Sequence, residues 1–524
     1  MYLITSAAYI PSELQSEFGH LPPSFLPVGN RRLFHHQIER IPAGERIVLT
    51  LPQQFQPGPY DQAFLQKRGI ELLFLPEHLS LGESVVYALN LLEFDAKETL
   101  TLLHGDTLFE QLPSGSDKIG ISPVEENYNW TCYDPSTGLL RPSESDNGCA
   151  SDWIINGYFS FSEPKSLVRH IVSANWDFIQ GINGYHAELP LIPESCDDWY
   201  DFGHGHTYYQ SKSQMTTQRA FNDMQIRDQV VTKSSLKKQK LAAEAHWYQT
   251  LPGPMRLYTP QLLEAVEHDE RFTYSIEYLH LTALNELYVF SLLPAKFWDR
   301  VLRACCRFIH HAQQFPVESG PTLGQLFGQK TAQRLAEYGR SATIDLAVPL
   351  RVNGQQHLSI YELAQASESA LPADNRAYNV LHGDLCFSNI LYDFRTGSIK
   401  VIDPRGLDLD NNLSIHGNSL YDLAKLAHSI IGLYDVIIAG YFNASQHQQE
   451  LLFSITENSV REQVMASFCQ MVSEQFGVTP RALYAMQIQL FLSMLPLHSD
   501  RPDRQLGFIG NAYRLYDLME ALEK

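Results

Sequence analysis

Over its first 210 or so residues the chain repeats one pattern, a short apolar run followed by a stretch of helical periodicity. YLIT leads into RRLFHHQIERI, ERIVLTLP into GESVVYALNLLEF, and ETLTLLHGD closes the series. Strands that alternate with helices build βαβ units and a mostly parallel sheet. Ligands of such sheets sit at the carboxyl ends of the strands. The His104-Gly105-Asp106 triplet is expected at one of those ends.

The pattern stops at a polar junction, Ser211 to Asn222, and restarts differently. QVVTKSS reads as a strand, a helix is expected from Leu236 to Tyr248, and long amphipathic helices dominate from Pro294 onward. They are interrupted by NVLHGDLCFSNILYD and SIKVIDPRG, two short apolar strands flanking a hairpin turn at Arg395-Thr396-Gly397. We therefore expect two domains, 1–215 and 219–524, the second with a small sheet lobe over about 219–290 and a helical lobe over about 291–524. At 524 residues, against roughly 150 per domain, one domain is too few, and an apolar fraction of 44% lets both halves bury cores.

A formal net charge of −20 repels phosphate backbones, and no basic run exceeds Lys237-Lys238, so nucleic acid is not an expected partner. The seven cysteines are odd in number and form no C-x-x-C pair, which indicates neither a disulfide framework nor a zinc site. The opening residues, MYLITSAAYIP, lack a basic n-region, and the most apolar later stretch, around Ile430 to Phe442, is broken by Asp435. Neither a signal peptide nor a membrane insertion is expected, and the reading is cytoplasmic. The long C-terminal helices leave packing against another copy open.

Phosphoryl transfer needs an orienter for the attacking hydroxyl, metal ligands at the phosphates, and a cation on the α- and β-phosphates. Asp384 stands five residues before Asn389, and Asp403 follows fourteen residues later at the end of the next strand. Two carboxylates and an amide converging at strand ends make a hard-cation site of oxygen ligands, suited to Mg²⁺. Upstream, Lys233 closes a strand and Glu244 lies on the following helix, where an ion pair would aim the ammonium at phosphate.

H-G-D-x-x-x-x-N followed by I-D-x-x-G resembles the aminoglycoside phosphotransferase and choline kinase group of small-molecule kinases, over roughly residues 219 to 524. The resemblance implies a bilobal, protein-kinase-like α+β domain that uses Mg²⁺ and ATP. It assigns Asp384 as catalytic base, Asn389 and Asp403 as metal ligands, Lys233 as the phosphate-binding lysine and Glu244 as its partner. Ile276, Glu277 and Tyr278 in YSIEYL match the hinge whose backbone meets adenine. Asp422 matches an aspartate that supports the catalytic loop, and His382 is read as holding that loop. AFNDMQIRDQVV, before Lys233, contains no glycine and so no G-x-G-x-x-G loop.

In the first half, SFLPVGNRRLFHHQIE, GESVVYAL, LLHGDTLF, IINGYFSF and WYDFGHGHTYYQSK follow one another in an order similar to that of the sugar nucleotidyltransferases. This implies a Rossmann-like domain in which Asp106 and Asp201 hold the metal, Asn156 and Gly157 contact the sugar, and Gly82 lies near the base. CTP or UTP is the implied second nucleotide. The family's glycine-rich G-x-G-x-R opening is missing, and Pro23 stands where a phosphate-binding lysine is usual. Arg31, Arg32 and Arg141 are either substitutes for those cations or surface residues, and His204 and His206 are read as loop residues.

Together the two resemblances imply a bifunctional enzyme that phosphorylates a sugar, polyol or amino alcohol and couples the phosphate to a nucleotide, as in capsule or surface polysaccharide biosynthesis. Two alternatives stand beside it: a kinase with a catalytically inactive N-terminal domain that binds a nucleotide or a partner, and a non-catalytic scaffold or regulatory protein.

Overall fold

The computed structural model describes all residues except 94–97, 124–129, 143–151, 216–222, 343, 373–377, 457 and 523–524. Residues 216–222, the later part of the expected polar junction, therefore lie outside the described residues. The chain divides into two compact units, Met1–Met215 with Phe290–Leu292, and Thr216–Val289 with Leu293–Lys524. Both are mixed α/β.

In the first unit the strand Tyr2–Thr5 runs parallel to Ile47–Pro52 and to Leu100–His104, and Ile47–Pro52 runs parallel to Glu71–Leu75. Every residue of Ile47–Pro52 is buried, as in a sheet covered on both faces. The helix Leu81–Leu91 begins with a reciprocal capping box between Ser80 and Glu83, and its Val85, Val86 and Leu89 join Leu3, Val48, Leu102 and Phe159 in the core.

The other half of the sheet departs from the expected parallel order. Trp153–Phe161 pairs antiparallel with Leu100–His104 and with Lys118–Pro123. The sequence between Asp106 and Trp153 offers no amphipathic helix to serve as a crossover, and without one a parallel return is not available. Trp153–Phe161 also shifts register between Ile155 and Phe159, a bulge that contains Asn156 and Gly157.

The second unit opens with an antiparallel sheet in the order Asp223–Arg227, Val230–Ser235, Phe272–Glu277 and Leu262–Glu267. The helix behind it runs Lys238–Thr250, two residues later than its sequence pattern suggests. The hairpin Ile390–Asp393 and Ser398–Val401 turns at Arg395-Thr396-Gly397, where Asp393 Oδ1 accepts from the Arg395 amide at 2.8 Å.

Helices follow, among them Ala295–Ala312, Ser419–Ile430, Pro480–Met494 and Pro502–Ala521. A further antiparallel pair, Phe442–His447 with Glu450–Ile455, stands among them and is absent from the sequence expectation of a helical lobe. Its alternating burial gives a period of two over only six residues per strand, too short to stand out. No helix among the described residues is long and apolar enough to cross a membrane.

Cys196, Cys305, Cys306, Cys386 and Cys469 are free thiols.

Candidate active site

The catalytic-loop candidate of the second unit is held from behind. Asp422, in the first turn of Ser419–Ile430, accepts from the His382 and Gly383 amides, each at 2.8 Å. Burial pushes the Asp422 carboxyl up to about 7, and these two donors are what its oxygens find in place of water. His382 is fully buried. Its Nδ1 faces the Asp384 amide at 3.3 Å and its Nε2 the Ile402 carbonyl at 3.0 Å, which makes Nε2 the donor in the neutral ring. Burial lowers the imidazole to about 4, so it stays neutral and ties the loop to the strand that leads to Asp403.

With the loop fixed, Asn389 Nδ2 donates to the Asp384 carbonyl at 2.9 Å and to its Oδ2 at 3.1 Å. Burial by itself would raise the Asp384 carboxyl; the Lys425 ammonium, 2.8 Å from Oδ1, outweighs it and keeps the group below the usual carboxylate range. Asp384 is therefore ionised at neutral pH and able to take a proton. Lys425 carries no motif of its own. It lies three residues past Asp422 on the same helix, and only the packing of that helix against the loop brings it to Asp384.

Asp403 follows the strand Ser398–Val401 with a backbone φ of 58°, a left-handed conformation that aspartate tolerates better than most residues. Lys233, on Val230–Ser235, pairs with the Asp403 carboxylate and lies 3.8 Å from Glu244 Oε2. Lys233 and Glu244 are buried, at 6% and 3% exposure, and desolvation raises the Glu244 carboxyl although Lys233 opposes it. Tyr274 Oη donates to Glu244 at 2.6 Å, and the register that pairs Lys233 with Tyr274 puts both at the same level of the sheet. A cavity of about 370 Å³ is lined by Glu244, Asp384, Asn389, Asp403, Arg405 and Lys425, among others.

The expected hinge residues are engaged within the sheet. Ile276 sits opposite Val231 and Leu262, the Glu277 amide donates to the Gln261 carbonyl at 2.9 Å, and the Tyr278 amide donates to the Gln229 carbonyl at 2.8 Å. Because Phe272–Glu277 is an inner strand, its neighbours take these donors, and the three residues are not among those lining the cavity.

In the first unit the strand Leu100–His104 ends at Asp106, and the short ladder pairing Asp201 with Thr107 brings the second carboxylate alongside. A β-carbon built on Gly203 would lie 2.7 Å from Asp106 Oδ2 and 3.3 Å from Asp201 Oδ1, so both carboxylates border this glycine. Burial, then the Asp201 charge, pushes the Asp106 carboxyl up to about 6. Asp201 accepts from the Thr207 hydroxyl and from the Gly203 amide at 3.2 Å. It lines a cavity of about 320 Å³ with Trp130, Trp199 and Ser122.

His204, read as a loop residue, faces this pair: its Nδ1 is 3.4 Å from Asp201 Oδ2, and that contact raises the imidazole above its ordinary value. His206 is exposed. Asn156 is buried and donates to Ser122 Oγ at 3.1 Å, on the cavity wall. Gly157 has a φ of 84° and packs on His104, where a β-carbon would come within 2.9 Å of the His104 β-carbon. Gly82 does not line the cavity. Its α-carbon abuts the Trp176 carbonyl, which an added β-carbon would approach to 2.1 Å, so packing accounts for this glycine.

The candidate substitute cations are paired elsewhere. Arg31 pairs with Glu39, Arg32 with Asp61 at 3.3 Å, and Arg141 with Asp134 at 3.6 Å. Among the described residues no group of three or more His, Cys, Asp or Glu is arranged to hold a metal. The donor chemistry nevertheless fits a hard divalent ion: carboxylate and amide oxygens at Asp403 and Asn389, and two carboxylates bordering Gly203 at Asp106 and Asp201.

No protein-family model matches the chain, and no curated protein sequence matches it. Among solved structures it is similar to an aminoglycoside-3'-phosphotransferase of type VIII, with 16% identity over 52% of this chain and 88% of that one, at a TM-score of 0.34. It is also similar to a thermostable mutant of the aminoglycoside phosphotransferase APH(4)-Ia in ternary complex with ADP and hygromycin B, with 14% identity over 57% and 91% of the two chains and a TM-score of 0.38. The inositol-1-phosphate CTP transferase from T. maritima is matched at 15% identity over 42% of this chain and 98% of that one, with a TM-score of 0.31.

Proposed function

We propose that the second unit is a kinase that transfers the γ-phosphoryl of ATP to a small hydroxyl compound, a sugar, polyol or amino alcohol. The observation that carries this reading is one cavity holding Asp384, Asn389 and Asp403, with Lys233 paired to Asp403. Asp384, kept ionised by Lys425, accepts the hydroxyl proton as the acceptor oxygen attacks phosphorus and ADP leaves. Lys233, aimed by Glu244, meets the α- and β-phosphates. Asn389 and Asp403 would hold Mg²⁺, which when bound neutralises charge on the phosphates.

In the same proposal the first unit couples the resulting phosphate to CTP or UTP and releases pyrophosphate, giving an activated donor for surface polysaccharide synthesis. Asp106 and Asp201 would hold the metal there. The engagement of Arg31, Arg32 and Arg141 with carboxylates favours a second reading, in which this unit binds a nucleotide without turning it over.

³¹P NMR of the full chain with Mg²⁺, ATP, CTP or UTP, and a panel of hydroxyl compounds tests both. A phosphomonoester followed by a diphosphate diester and pyrophosphate supports the bifunctional reading. A phosphomonoester alone leaves the kinase with a silent partner unit, and no turnover of ATP with any acceptor removes the kinase.

A further inference from the structure

The wall beside Asp384 is cationic. Tyr421 and Lys425 stand one turn apart on Ser419–Ile430, and both line the cavity, as does Arg405. Behind Tyr421, Lys330 donates to its hydroxyl at 3.1 Å and lies over its ring at 5.6 Å. Burial alone would raise the Tyr421 phenol, yet Lys330, Lys425 and Arg405 together hold it below its ordinary value, which registers a positive field at that hydroxyl. The carboxylates nearby have partners of their own. Asp384 is paired with Lys425, Asp403 with Lys233, Glu244 lies 3.8 Å from both Lys233 and Lys240, and Asp408, which also feels Arg405, accepts from the Asp410 and Asn412 amides at 2.9 and 2.8 Å and from the Asn412 side chain at 3.1 Å.

This field lies on the acceptor side. The base marks where the attacking hydroxyl must stand; Asp384 Oδ1 lies 2.8 Å from Lys425, which is one turn from Tyr421 on the same helix, whereas Lys233 pairs with Asp403. Substituents of a compound whose hydroxyl reaches Asp384 therefore meet Arg405 and the Tyr421 hydroxyl, which Lys330 polarises from behind. A cationic amino alcohol would be repelled there, whereas an anion would be drawn in by a guanidinium and a polarised hydroxyl.

We propose that the kinase acceptor carries an anionic group, carboxylate or phosphate, beside the hydroxyl it presents to Asp384, and that Arg405 and the Tyr421 hydroxyl, polarised by Lys330, hold that anion. The reaction is unchanged in balance. The acceptor oxygen bonds to the γ-phosphorus as the bridging bond to ADP breaks, and the hydroxyl proton passes to Asp384 and on to water. The inference rests on the kinase reading above and narrows its acceptor class.

The test fills the nucleotide site first. The full chain is titrated calorimetrically with Mg²⁺ and AMP-PNP, and the loaded protein is then titrated at physiological ionic strength with inorganic phosphate, with acetate, and with ethanolamine. At least one anion is expected to bind more tightly than ethanolamine, phosphate and acetate separating the two anionic classes. Arg405→Gln is expected to weaken that binding about tenfold or more, the loss of one charge-assisted contact, and Lys330→Gln, which removes the charge behind Tyr421, to weaken it less, while AMP-PNP affinity shows that each variant is folded. Ethanolamine binding more tightly than both anions overturns the proposal, as does an anion affinity that neither variant moves, or no anion binding to the loaded protein. If AMP-PNP itself does not bind, the kinase reading falls and this inference with it; AMP-PNP binding without anion binding removes the inference alone.

Discussion

At the C-terminal site each carboxylate has a cation from its own chain: Lys425 for Asp384, Lys233 for Asp403, and Lys240 together with Lys233 for Glu244. At the N-terminal site Asp106 and Asp201 both lie beside Gly203, with His204 next to Asp201, and the candidate arginines Arg31 and Arg32 are committed to other partners. The first arrangement is electrostatically closed before any ligand arrives. The second keeps two negative charges close together and holds one of them partly protonated, with Asp106 pushed up to about 6. Charge neutralisation is thus internal in one unit and left to an incoming cation in the other. Removing a charge is therefore expected to have opposite signs in the two places.

The largest effect is expected from Asp384→Asn. It keeps the Asn389 contact and removes the proton acceptor, so ATP turnover with acceptor falls by about 10²- to 10⁴-fold while AMP-PNP binding persists. Undiminished turnover would break the closed-site description at its centre. Next comes Lys233→Met, which leaves Glu244 buried without its partner. A stability loss on the order of 3 kcal/mol in urea unfolding is expected together with lost ATP affinity.

Lys425→Met is smaller and more specific. Burial would then act on Asp384 with the Asn389 hydrogen bond left against it, raising its carboxyl, and the acid limb of the kcat/KM profile moves to higher pH. A profile that stays in place shows that Lys425 does not tune the base. The smallest effect, and the one that reverses sign, is Asp106→Asn. Because burial raises the folded carboxyl from its ordinary 3.8 to about 6, ionisation costs stability increasingly between those two values and in full above the upper one. The variant is expected to be more stable than the parent at pH 8 by on the order of 1 kcal/mol, with a smaller gain at pH 5 and none below the ordinary carboxylate range. In the parent, Mn²⁺ affinity that depends on Asp106 declines as pH falls through about 6; a gain in stability at pH 5 equal to that at pH 8 would contradict the assignment.

What was legible in the sequence follows the range of the interactions. Asp384, Asn389 and Asp403 are separated by one turn and one hairpin, so their meeting is a local matter that spacing can show. Lys233 and Glu244 are joined by a strand and the helix behind it, which periodicity can also indicate. Lys425 and the Lys330–Tyr421 contact depend on how helices pack, and each residue alone reads as an ordinary helix position. His204 looked like a loop residue because its relation to Asp201 depends on the cap of the helix Gly205–Gln214 rather than on any ligand spacing. The antiparallel half of the first sheet was hidden for a further reason: strand direction is set by connections, and the apolar run of Trp153–Phe161 is the same whichever way it points.

Gly203 gives the N-terminal unit an unusual fragility. A β-carbon there would come within 2.7 Å of Asp106 Oδ2 and would push that carboxylate away from Asp201, filling the gap with a hydrocarbon group. A single glycine-to-alanine change thus obliges the Asp106 carboxylate to move, altering its relation to Asp201 without touching the packed core of the unit.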